Sequence, residues 1–263
     1  MARVIAVTNQ KGGVGKTTTC VNLAYALADR GRRVLLVDLD PQGNATMGCG
    51  IDSRGQTLTT GEVLLGEASI TEARHSLEDF KFDLVPGNTA LTAAEVRLMD
   101  KLAREAQLKR ALEPIAQDYD EVLVDCPPSL SMLTVNALTA ADGVLIPIQC
   151  EYFALEGLKS LLDTIDDIRG AVNPNLKIEG LLRTMFDVRN NLSTEVSNQL
   201  VQHFGSKVYM TVIPRNVRIA ESPSFGQPVI TYDPGSRGAQ AYLRLAGELV
   251  RRESLGNERR TAS

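Results

Sequence analysis

The chain of 263 residues carries four cysteines, Cys20, Cys49, Cys126 and Cys150, with no CxxC pair among them. That pattern argues against a disulfide framework and for reduced thiols in a cytosolic protein. No apolar run approaches the ~20 residues a membrane span requires. The opening stretch MARVIAVTNQ lacks a basic region followed by a long apolar segment, so no export signal is expected. The (N/T)KxD signature with which GTPases read guanine is absent. No stretch has the composition of an interdomain linker, and no internal repeat is present.

A strong excess of positive charge is also missing, since the formal net charge is −4. The average hides an asymmetry. Residues 181–263 hold 11 Lys/Arg against 7 Asp/Glu, a balance of +4, whereas residues 1–180 hold 17 against 25, a balance of −8. A basic last third is compatible with a local polyanion-binding face, although solvated surface charge is the commoner explanation of so small an excess.

What is present is alternation. Short apolar runs rich in β-branched residues occur at 3–8, 33–38, 82–85, 121–125, 143–148, 178–185, 208–213 and 228–231. Helical periodicity lies between most of them, at 17–30, 90–116, 131–140, 153–170, 192–204 and 237–252. Near-continuously apolar strands alternating with helices predict one doubly wound α/β domain over 1–252, with a mostly parallel sheet flanked by helices. The Gly- and Thr-rich segment 41–76 reads as a surface insertion, and residues 253–263 as a polar tail that frays.

The first strand leads straight into NQKGGVGKTTT, residues 9–19. The general phosphate-loop pattern GxxxxGK(S/T) is met only at its end, because Gln10 stands where the first glycine belongs. Gly12, Gly13 and Gly15 let successive backbone N–H groups turn inward around phosphate oxygens, with Val14 between them. Lys16 would bridge the outer phosphates, and Thr17, followed by Thr18, would offer its hydroxyl to Mg²⁺. The helix that begins here aims its positive end at the same anions.

Three aspartates end strands and so reach the carboxyl edge of the sheet, where doubly wound folds bind ligands. Asp125 closes EVLVD, the Walker B position, and is a Mg²⁺ candidate. Asp38 and Asp40 close RVLLVD; Asp38 lies nearer the metal and the loop, and Asp40 is the candidate for orienting water. A lone aspartate after a strand often only caps a turn. Three converging beside a phosphate loop point to a metal–nucleotide site, with ATP favoured over GTP.

The blocks KGGVGKT, VLLVDLDPQGN and VLVDCPPS resemble the deviant Walker A ATPases, and among them the ParA/Soj partitioning group. The likeness continues to TVIPRNVRIAESPSFGQPVITYDPGSRGAQAY at 211–242. In that family the early lysine, here Lys11, reaches across a homodimer interface to the partner's ATP. The resemblance implies a switch: the ATP-bound sandwich dimer binds double-stranded DNA without sequence preference. A ParB/Spo0J-type centromere-binding protein then stimulates hydrolysis and release, in the cytoplasm and on the nucleoid. It also implies DNA contacts at Arg189 and Arg218, and adenine contacts at Pro214 and Asn216. Arg183, Lys207, Arg215, Arg237 and Arg244 are supporting DNA candidates from composition alone. Asn44 either supports the catalytic loop or simply makes a turn.

Three related readings compete. A MinD-like membrane-positioning ATPase would use the last helix, with Tyr242, Leu243, Leu245, Ala246, Leu249 and Val250, as a lipid anchor; core packing is the simpler use, and no membrane partner is expected. A nitrogenase-type iron protein would need two placed cysteines per chain, of which only Cys126, beside Asp125, suggests itself. A metabolic ATP-dependent ligase would need a second small-molecule pocket, for which no motif is found. Because the glycine loop begins about ten residues in, operator binding by an N-terminal helix-turn-helix is not expected.

Overall fold

The computed structural model describes residues 1–261, with side chains through Leu255. Among the described residues seven strands form one sheet: β1 (Arg3–Val7), β2 (Val34–Asp38), β3 (His75–Leu77), β4 (Phe82–Val85), β5 (Glu121–Asp125), β6 (Gly143–Gln149) and β7 (Lys177–Thr184). Their order across the sheet is β3-β4-β2-β5-β1-β6-β7. All pairings are parallel except that of the short edge strand β3, which runs antiparallel to β4.

Strict burial on both faces explains the apolar strands. Val4, Ala6, Leu35, Val37, Val122 and Val124 point into one core, while Ile5, Val7, Val34, Leu36 and Leu123 point into the other. Helices α1 (Lys16–Ala28) and α12 (Arg237–Thr261) cover the second core, joined by α2 (Asn44–Gly48). The first core is covered by α3 (Thr60–Leu65), α4 (Ile70–Ala73), α5 (Ala90–Leu98), α6 (Gln107–Leu112), α7 (Met132–Ala140), α8 (Ala154–Ala171) and α9 (Asn191–Phe204). Each face is apolar because each is covered.

Several segments differ from the sequence-based expectation. Residues 41–76 are no surface insertion: Val63, Leu64, Leu65 and Ile70 are buried in the core, and α3 and α4 each begin with a complete capping box. The 90–116 periodicity is interrupted between α5 and α6, where Ala103 takes a left-handed φ of 49°. Segment 208–213 makes no strand, only an isolated bridge from Val208 to Leu181. The Glu248 carboxylate accepts from the N–H groups of Met210 (2.8 Å) and Thr211 (2.9 Å). A side chain thus takes donors that a neighbouring strand would otherwise use. Segment 228–231 also is no strand; it begins the short helix α11 (Val229–Tyr232), whose first N–H donates to Asn22 Oδ1 at 2.7 Å. Helix α12 runs beyond residue 252 to Thr261. The side chains of most of the tail expected to fray lie outside the described residues.

Candidate phosphate and metal site

The parallel register sets the site. Asp125 lies beside Val7 on one side and beside Asp38 on the other. The chain leaving β1 therefore enters the glycine loop next to two strand-ending carboxylates. Asn9 shapes the entrance: its Nδ2 donates to Pro147 O at 2.7 Å, and its Oδ1 accepts from Lys11 N at 3.0 Å. Gly13 (φ 73°) and Gly15 (φ 88°) take the left-handed conformation that a side chain resists. No side chain caps α1, whose N-cap is Gly15, so its first N–H groups face the loop without a side-chain acceptor. A Cβ placed on Gly12 or Gly13 would meet nothing within 4 Å, which leaves room over the loop. Such a loop has the form of an anion cradle.

The two lysines are divided between inside and outside. Lys16 is buried, and its Nζ donates to Lys11 O at 3.2 Å. Burial pulls its ammonium below the ordinary lysine range, against the opposing pull of Asp125 and Asp40. Lys11 is exposed, and its Nζ pairs with Glu151 at 2.5 Å, each side chain nearly half exposed. Sequence reasoning did not find Glu151.

Asp38, Asp40 and Asp125 are all buried. Asp38 accepts from Asp40 N (3.2 Å), Thr46 N (2.9 Å) and Thr46 Oγ1 (2.6 Å). Thr46 in turn accepts from Gly87 N at 2.9 Å. Gly87 must be glycine here, since a Cβ would lie 2.7 Å from Asp38 O. Thr46 lies in the segment 41–76, and no local pattern in the sequence marks it as the brace of Asp38. Burial pushes the Asp38 carboxyl up to about 6. Asp125 is pushed well above the carboxylate range by burial and by Asp38, with the Thr17 hydroxyl among the groups that oppose the rise. Asp125 Oδ1 accepts from Cys20 Sγ at 3.5 Å, but its buried Oδ2 has no partner.

An orphaned, deeply buried carboxylate oxygen beside the first turn of α1 fits a divalent cation. Among the described residues no group of three His, Cys, Asp or Glu side chains could hold a metal alone. Magnesium suits such a site, because it binds through one or two carboxylates and completes its shell with phosphate oxygens and water.

The other predicted residues lie around this edge. Thr17 and Thr18 sit half-buried in the first turn of α1. Pro214 bridges to Phe186, and Asn216 caps the helix α10 (Val217–Glu221) by accepting from Ile219 N at 3.3 Å. Asn44 is exposed at the start of α2. Arg189 is exposed and clasped by Asp187 through Nε (2.9 Å) and Nη2 (2.8 Å). Arg218 is exposed and pairs with Glu221 and Asp233. Arg215 is exposed, and its backbone N–H donates to Phe186 O at 3.3 Å, one residue before the Asp187 that clasps Arg189. Arg183 does not join them: it bonds Ser197 Oγ and the carbonyls of Tyr209 and Met210. Lys207, Arg237 and Arg244 are exposed, Arg237 next to Gly238, which packs against Asn216 and against Ile219 of α10.

Two rival readings lose their footing. Tyr242, Leu245, Ala246 and Leu249 of α12 are buried in the second core, so the apolar face proposed as a lipid anchor is occupied. Among the described residues no helix is long and apolar enough to cross a membrane. Cys126 is fully buried, its thiol pushed far up by that burial, and cannot present a thiolate to a second subunit.

The chain resembles known proteins over nearly its whole length. A family model described as an AAA domain matches residues 2–178. The sporulation initiation inhibitor protein Soj of Bacillus subtilis is 51% identical over 250 residues, covering 95% of this chain and 99% of Soj. The chromosome partitioning protein ParA of Caulobacter vibrioides is 52% identical over 253 residues, covering 95% of each chain. Among solved structures, a cobyrinic acid a,c-diamide synthase of Mycobacterium smegmatis, with bound ATP analogue and magnesium, superposes with a TM-score of 0.86 at 41% identity, covering 97% of both chains. Glycine loop, paired strand-end carboxylates and full-length relatedness agree: the chain belongs to the ParA/Soj family of chromosome-partitioning ATPases.

Proposed function

We propose that this chain is a nucleotide-gated DNA switch. Two copies close on two ATP molecules, each lending Lys11 to its neighbour's phosphates; the closed dimer holds double-stranded DNA without reading sequence; and hydrolysis, stimulated by a ParB-type partner, lets go. The observation that carries this reading is the division of labour between the lysines. Lys16 is buried against the loop, whereas the Lys11 ammonium stands outside, held by one exposed carboxylate. An exposed pair of this kind is worth about 1 kcal/mol or less, so Lys11 is cheaply released to a new anion. A second cation brought into a closing, water-poor interface stabilises charge that develops on the γ-phosphoryl group. Because that cation belongs to the other copy, nucleotide affinity and dimerisation are linked.

Lys16, with the loop N–H groups, grips phosphate. Thr17 and Asp125 would hold Mg²⁺, which supplies charge neutralisation when bound, and Asp38 braces the adjacent turn. Asp40 orients the attacking water. Arg189 and Arg218 face DNA phosphates; their exposed partners Asp187, Glu221 and Asp233 exchange for phosphate at small cost. Phosphate contacts position a protein on DNA without reading bases, which suits a carrier that must travel over any sequence.

The Mycobacterium neighbour bears the name of a synthase, so small-molecule ligation is the second reading. Against it, a cleft of about 1450 Å³ opens beside Arg3, Asp142 and Lys177 at the amino edge of the sheet, on the side away from the glycine loop. Light scattering of Asp40→Ala with saturating ATP and Mg²⁺ separates the readings. A dimer that is retained on non-specific DNA is expected; a monomer indifferent to DNA would favour the synthase.

A further inference from the structure

Among the described residues three non-glycines adopt a left-handed backbone: Lys81, Ala103 and Met185. Lys81 and Ala103 lie in turns beside one-turn helices. Met185, at φ 49°, is different, because it directly follows β7 at the carboxyl edge of the sheet. Such a conformation disfavours any residue with a Cβ and persists only where the surroundings impose it.

The surroundings are explicit. On one side, Thr184 is buried and its Oγ1 donates to Val14 O, inside the glycine loop, at 2.8 Å. A Cβ on Gly15 would itself rest 3.8 Å from Thr184 Cγ2. On the other side, Phe186 N donates to Ile213 O at 3.0 Å, and Phe186 O accepts from Arg215 N at 3.3 Å. One residue further, Asp187 clasps Arg189. Six consecutive residues thus touch the phosphate loop at one end and the exposed arginines at the other, with the strained peptide between them.

We infer that Thr184 and Met185 are positioning residues that convey the state of the phosphate loop to the Arg189–Arg215 surface. A shift of the Val14 carbonyl when phosphate enters the cradle pulls on Thr184. The left-handed residue next to it is the point with most to gain from a change of φ. The hydrogen bonds from Phe186 to 213–215 then carry that change to both arginines together. Two discrete arrangements of one short segment suffice for such coupling. This inference rests on the proposed DNA-binding role.

The test compares retention on non-specific DNA in ATP and in ADP, at fixed salt, for the full chain and three variants. Met185→Gly adopts the left-handed conformation freely. It is expected to keep wild-type affinity for a fluorescent ATP analogue while the ATP-to-ADP ratio of DNA affinity falls about tenfold, the scale of one relieved backbone strain. Thr184→Val, which keeps the shape and loses the hydroxyl, should lower the same ratio; Thr184→Ser should restore it. A merely structural role would instead lower the melting temperature and leave the ratio untouched. Wild-type ratios in both Met185→Gly and Thr184→Val would overturn the relay. A wild-type chain whose DNA retention ignores the nucleotide would overturn the switch itself, and the relay with it.

Discussion

Replacing Glu121 by glutamine should stabilise the nucleotide-free protein at pH 8 and do almost nothing near pH 4.5. Glu121 opens β5 between Arg3 of β1 and Val34 of β2, and its side chain is fully buried. Neither of its oxygens has a hydrogen-bond partner. The nearest cation, Arg3 Nη1, is 4.0 Å away, while Arg3 Nη2 is engaged by Glu179. Burial pushes the Glu121 carboxyl from its ordinary 4.5 up to about 7; Arg3 and Arg32 pull it down, and Glu253 and Glu179 add to the rise. Each unit of displacement corresponds to about 1.4 kcal/mol, so ionising Glu121 in the folded state costs about 3 kcal/mol. The sign follows from proton affinity. The folded chain holds this proton more tightly than the unfolded chain, so the stability it contributes is full below pH 4.5. It is lost as pH rises through 7. Glutamine has no proton to lose. At roughly 2–4 °C per kcal/mol for a chain of this size, Glu121→Gln should raise the melting temperature by roughly 6–12 °C at pH 8, and the gain should vanish towards pH 4.5. Thermal or urea melts of both proteins at pH 5, 6, 7 and 8 measure this. Parallel pH profiles would refute the argument that Glu121 is the titrating group.

Two further outcomes are expected at the site. Lys16→Ala removes the buried cation of the cradle and should abolish binding of a fluorescent ATP analogue, with at least a hundredfold loss of affinity; ordinary ATPase turnover would disprove the site. Arg189→Glu places a like charge beside Asp187 and should weaken retention on DNA at least tenfold at low salt without altering ATP-dependent dimer mass; unchanged retention would move the DNA face elsewhere.

Placement was legible in the sequence where the pattern is local. The glycine loop is contiguous, and its function depends on left-handed glycines and a lysine in fixed order, so seven residues suffice to recognise it. Asp38 and Asp125 were legible because a strand that is apolar on both faces ends in a carboxylate at the sheet edge. Reasoning failed where a short apolar run could be strand or helix. The run at 228–231 became a helix because Asn22, far away in sequence, accepts its first N–H. The run at 208–213 donates to the β7 backbone only through the amides of Tyr209 and Ile213, because Glu248 takes those of Met210 and Thr211 between them. The segment 41–76 looked polar and loose, yet it supplies Thr46, the residue that fixes Asp38.

By itself the sequence determined the doubly wound class, the glycine loop after the first strand and the identity of the carboxylates beside it, because each follows from periodicity or from neighbouring residues. Only the tertiary structure decided that Asp38 stands beside Asp125, that Glu151 restrains Lys11, and that Thr184 bonds Val14 across 170 residues of chain. Those contacts come from strand order and loop approach, which depend on how the whole chain closes its two cores, and no local pattern encodes them.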